Sequence, residues 1–95
     1  MMIEGNPYIV CVGDPSGRAV VFGWAATEPE IGVPCRLERV RMILRFGTDD
    51  RGLFGIAALG PAPDTKMTVA VPATLCVPRQ ILIPTAEAAD ALSKH

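Results

Sequence analysis

The stretch Leu37-Glu38-Arg39-Val40-Arg41-Met42-Ile43-Leu44-Arg45-Phe46 decides how this chain of 95 residues is read. Positions 40, 42, 44 and 46 are all apolar, whereas positions 39, 41, 43 and 45 read Arg, Arg, Ile, Arg. Successive side chains of a strand point to opposite faces. The alternation therefore predicts one buried face backed by one cationic face. Gly47 breaks the strand, and Thr48, Asp49 and Asp50 offer N-cap oxygens and negative charge to a following helix. Leu53, Phe54, Ile56, Ala57 and Leu59 supply that helix with apolar contacts, and Gly60-Pro61 ends it. Gly52 and Gly55 each weaken it by about 1 kcal/mol relative to Ala, so it depends on tertiary packing. Two glycines three apart also let another backbone approach.

Upstream, Tyr8-Ile9-Val10-Cys11-Val12 reads as a covered strand, ended by the turn residues Gly13-Asp14-Pro15-Ser16-Gly17. Arg18 to Ala26 is its hairpin partner, in which Gly23 marks a bulge or a close backbone approach. Thr27 to Pro34, with two prolines and Gly32, is a loop. Downstream, Pro61-Ala62-Pro63-Asp64 is a stiff connector, and Met67, Val69 and Val71 alternate with Thr68 and Ala70 as a fourth strand. Pro72 cannot donate to a ladder, so that strand ends there or lies on an edge. Leu75-Cys76-Val77 and Ile81-Leu82-Ile83 form one bent strand or two short ones. Thr85 caps a last helix, with Glu87 in its first turn and Lys94 and His95 at its far end. The expected architecture is a single α+β domain over residues 1–95. It has a small antiparallel bent sheet, or partly open barrel, of about five strands with two short helices.

Bulk properties exclude several function classes. Hydrophobic residues are 49% and charged residues 20%, too apolar for a disordered chain. The net charge of −1 argues against generic nucleic-acid or anionic-membrane binding. Five of the nine cations (Arg36, Arg39, Arg41, Arg45, Arg51) nevertheless fall within sixteen residues. Glu4 and Pro7 interrupt any apolar signal region, and no apolar run approaches the roughly 18 residues that span a bilayer. A soluble protein is expected. Cys11, Cys35 and Cys76 are too far apart and too few for a disulfide framework or a zinc site, and Cys11 and Cys76 read as small buried residues of apolar strands. A reducing cytoplasm fits this usage.

The search for catalytic chemistry is short. The one histidine is His95, the last residue, a poor place for an ordered base. No cysteine or serine has a base nearby in sequence, and no His/Asp/Glu cluster has metal spacing. Asp49-Asp50 reads as a helix cap before it reads as a cation site. No enzyme, cofactor or metal is predicted. The arginine stripe is the functional candidate. Residues two apart on a strand face lie about 6.5–7 Å apart, near the spacing of phosphates, and guanidinium groups bind phosphate bidentately. The candidate ligand site is Arg39, Arg41 and Arg45 with Phe46 and Trp24 (Tyr8 beside them) to stack on a base. The plainer reading is a solvated face balanced by Glu38, Glu28 and Glu30, and a third is the polar rim of a subunit contact.

The segments Ser16–Gly23, Arg39–Phe46, Leu53–Gly60 and Ile81–Ala88 together resemble a family of small phage-encoded proteins of unknown function. The family has a hairpin, an arginine-rich strand with aromatics, a Leu-x-x-Leu-Ala-x-x-Gly helix and a closing Ile-Pro-Cys-Thr-like segment. The family's second strand arginine is Met42 here and its tryptophans in that strand are missing, Phe46 alone remaining. The resemblance implies a phage or prophage origin. Two functions are then expected. One is a homo-oligomeric, non-enzymatic accessory protein of the host cytoplasm that sequesters a small anionic, nucleotide-type defence signal. The other is a virion structural or decoration protein, for which the apolar excess of Leu53, Phe54, Leu75, Ile81 and Leu82 argues. Inhibition of a host enzyme is a third, weaker idea.

Overall fold

The computed structural model describes residues 5–14, 17–47 and 52–95. Strand β1 (Asn6–Asp14) and strand β2 (Gly17–Ala25) pair antiparallel over nine residue pairs, from Asn6 opposite Ala25 to Asp14 opposite Gly17. Strand β3 (Cys35–Arg45) pairs with β2 on one side. Its other side is shared: strand β4 (Lys66–Met67) takes the end of β3, and strand β5 (Val71–Cys76) takes its beginning. Strand β6 (Gln80–Leu82) pairs with the outer side of β1. The sheet order is thus β4-β3-β2-β1-β6, with β5 also on β3.

Strands β5 and β6 are neighbours in sequence yet lie on opposite edges, so the sheet must curl; it does not close. Residues 77–79 carry the chain across. Gly32 donates to the Pro78 carbonyl at 2.9 Å, and the Arg79 amide donates to the Cys11 carbonyl at 2.8 Å. Helix α1 (Gly52–Leu59) and helix α2 (Ala86–Lys94) complete the α+β fold. The expected fourth strand over 67–71 is instead split. Met67 ends β4, residues 68–70 leave the ladder, and Val71 begins β5, which gives six strands rather than about five. Pro72 lies inside β5, an edge strand, at the step the ladder skips between Val40–Val71 and Glu38–Ala73. A residue without an N–H can be accommodated there.

Each face of the sheet carries its own core. On one face Ile9, Phe22, Ile43 and Leu82 meet Ile56 and Ala57 of α1 and Ala89 and Leu92 of α2. On the other, Tyr8, Val10, Val21, Ala25, Leu37 and Val40 are enclosed by the curl, with Val12, Cys35, Cys76 and Ile81 against them. Thr85 joins the helices. Its hydroxyl accepts from the Ala88 amide at 3.1 Å and donates to the Ala58 carbonyl at 2.9 Å, while its amide donates to the Ala57 carbonyl. It is the N-cap the sequence predicts. The cap expected from Thr48, Asp49 and Asp50 lies outside the described residues, as do Pro15, Ser16 and Arg51. Gly52 has φ +75° and nothing near its absent side chain, so no close backbone approach occurs at that glycine.

Candidate functional site

The register decides where the arginines point, because directly opposed cross-strand residues share a face. Arg41 opposes Phe22, whose ring lies in the helix-side core. Arg41 therefore turns towards the helices, where its Nε donates to the Thr68 carbonyl at 2.9 Å and its Nη1 to the Leu92 carbonyl at 2.7 Å. Arg45 opposes Lys66, the neighbour of Met67, and Met67 packs on the helix side. Arg45 and Lys66 therefore share the opposite face. The single cationic face expected for Arg39, Arg41 and Arg45 does not exist.

Two irregularities break it. Between Phe22–Arg41 and Trp24–Glu38 the strand β3 carries one residue more than β2, so Arg39 and Val40 together face Gly23. Arg39 takes φ +50°, the left-handed region that non-glycine residues rarely enter. This bulge places Leu37 and Val40, three apart, in the same core cluster. A Cβ on Gly23 would lie 3.1 Å from the Leu37 Cβ and 3.3 Å from the Glu38 carbonyl oxygen, so the predicted close approach and the predicted bulge coincide there. A second shift between Ile43 and Arg45 sets Leu44 outside the β3–β4 register.

The expected buried face fares similarly. Val40 is buried, but Met42, Leu44 and Phe46 are exposed by 38%, 62% and 41%. They stand on the rim of an open cleft of about 870 Å³, with Leu53 of α1, Val12 and Val20, and with Arg79 and Gln80. Of the predicted site residues only Phe46 lines this cleft; Trp24 instead packs edge-on against Phe22, ring centroids 6.2 Å apart. Arg79, absent from the expected site, donates through Nη1 to the Gly13 carbonyl at 3.3 Å at its edge. Glu28, Glu30 and Glu38, expected to balance the arginines, line a separate hollow of about 420 Å³ with Arg36, and Glu38 pairs with Arg36 at 3.3 Å.

Helix α1, Gly-Leu-Phe-Gly-Ile-Ala-Ala-Leu, has no polar side chain on any side, yet only Ile56 and Ala57 are buried. Phe54 and Leu59 are 71% and 69% exposed. An all-apolar helix is ordinarily enclosed. Ile83, exposed as well, follows β6 just before the Thr85 link to the end of α1. The pairing that spacing did not reveal is Cys35 with Cys76. They are 41 residues apart in sequence, directly opposed in the β3–β5 register, with sulfurs 3.6 Å apart. Burial, and then the neighbouring Cys35 sulfur, push the Cys76 thiol up to about 12.

Among the described residues no group of three or more His, Cys, Asp and Glu could hold a metal. The His95 ring nitrogen lies 2.7 Å from the Thr65 carbonyl oxygen. No helix among them is long and apolar enough to cross a membrane, which says nothing of strand-built membrane proteins. Comparison with protein-family models, curated proteins and solved structures gives no match.

Proposed function

We propose that this chain is a non-enzymatic protein that works by assembling with copies of itself, as a structural or accessory component. The observation that carries the reading is α1, a helix apolar on every side with Phe54 and Leu59 left in water. Leu44, Phe46 and Met42 extend the apolar surface through the adjoining cleft. Leaving several large apolar side chains exposed forgoes about 1.5–3 kcal/mol each relative to full burial, and a second copy recovers part of that. For a chain of phage origin this is the virion or decoration role. Light scattering coupled to gel filtration tests it: the wild type elutes as an oligomer, and Phe54→Asp and Leu44→Asp elute as folded monomers. A wild type that stays monomeric at high concentration overturns the reading.

A small anionic ligand remains a second reading, moved from the arginine stripe to the cleft. Arg79 and Gln80 stand there with Phe46 in a hollow of about 870 Å³, within the size range of small-molecule pockets. Calorimetric titration with cyclic dinucleotides and ADP-ribose decides. Heat that disappears in Arg79→Ala supports it, and silence from every ligand removes it.

A further inference from the structure

Cys35 and Cys76 are both free thiols, both half-buried and both packed against the enclosed core. They occupy directly opposed positions of β3 and β5, where antiparallel partners have Cα atoms about 4.5–5.5 Å apart, inside the Cα range of about 4.4–6.8 Å that a disulfide spans. The sulfurs already touch at 3.6 Å. Closing them to the bonded distance of about 2.05 Å asks for small side-chain rotations and leaves the strands in register.

We propose that Cys35 and Cys76 are a dithiol site that closes to a cross-strand disulfide by exchange with a small-molecule disulfide such as oxidised glutathione. In the first step the Cys35 thiolate attacks one sulfur of that disulfide. Its S–S bond breaks, one glutathione leaves as thiolate and takes up a proton, and Cys35 carries a mixed disulfide. In the second, Cys76 releases its proton to solvent and attacks the Cys35 sulfur, expelling the other glutathione. Two protein thiols lose two electrons, and one small disulfide becomes two thiols. The thiolate is the attacking form and burial raises Cys76, so ring closure is faster as pH rises. The product ties the edge strand β5 to β3 across the forty-one-residue separation. Cys11, which lines the cleft, is left as the remaining thiol.

The test uses the whole wild-type chain, incubated with oxidised glutathione, alkylated under denaturing conditions and mapped by mass spectrometry. The expected result is a mass lower by two hydrogens, a Cys35–Cys76 cross-linked peptide, and alkylation confined to Cys11. The melting temperature rises by about 10 °C or more and returns on reduction. Cys11→Ser behaves as wild type, whereas Cys35→Ser and Cys76→Ser take up only glutathione. A bridge that involves Cys11, a covalent dimer, or glutathione adducts with no internal bridge in the wild type overturns the proposal, and the wild-type map decides even if a variant fails to fold.

Discussion

Arg39 adopts a left-handed backbone conformation that costs an L-residue with a long side chain roughly 1 kcal/mol. Glycine carries no such cost, so Arg39→Gly is expected to hold or raise stability by up to about 1 kcal/mol, and Arg39→Val to lower it by about 1–2 kcal/mol. Urea unfolding measures both, and a stabilising Val would contradict the bulge. Arg41 is different, because its guanidinium satisfies two backbone carbonyls from distant segments. Arg41→Ala should cost about 2–4 kcal/mol. Arg41→Lys should recover only part of that, since an ammonium cannot reproduce the fork. Wild-type stability in Arg41→Ala would show that these bonds are not formed in solution. Cys76 adds a pH effect. Its folded pKa lies above its ordinary 9.0, at about 12. Its contribution is thus complete below pH 9 and fades as pH climbs towards 12. Cys76→Ala should therefore lose less stability than the wild type over that range in alkaline melts.

The elements are held by side chains that join one to the next. Thr85 caps α2 and binds the end of α1 with its amide and hydroxyl. Thr85→Ala should cost about 1–2 kcal/mol, more than an isolated cap because the Ala58 carbonyl also loses its donor. Thermal melts check this, and a change below a few tenths would sink it. Gly60 ends α1 at φ +88° with the Ala91 Cβ 3.0 Å from where its own would be. Helix end and helix packing thus converge on one glycine. Strand β3 holds the sheet together by pairing with β2, β4 and β5, and its two irregularities let it bend around both cores.

At the scale of the molecule, the thinnest extent of 21 Å, beside 37 and 32 Å, fits two layers. These are a curled sheet and a cover of two short helices. Among the described residues, a helix layer of only seventeen cannot shelter every apolar side chain the sheet and α1 present. Disruption of the proposed assembly by Phe54→Asp with no loss of the monomer's helix and strand content, seen by circular dichroism, is the expected outcome at this scale. The disulfide belongs here too. A loop of this length is worth about 3–5 kcal/mol in chain entropy, so the oxidised chain should melt well above the reduced one.

Much of this architecture is written locally. The turn residues, the glycine of β2, the Thr85 cap and the apolar runs each act over a few neighbours, so they predict the hairpin, the long third strand, both helices and the α+β class. The face that Arg41 or Arg45 takes is not local. A strand's alternation holds only while its ladder does, and the extra residue opposite Gly23 is recorded in the partner strand's register rather than in β3 itself. The same non-local pairing brings Cys35 to Cys76 across forty-one residues and leaves Met42, Leu44 and Phe46 in water. Composition determined that this chain has apolar surface to hide. Only the tertiary structure decided which part stays open, because burial depends on what the helices can reach.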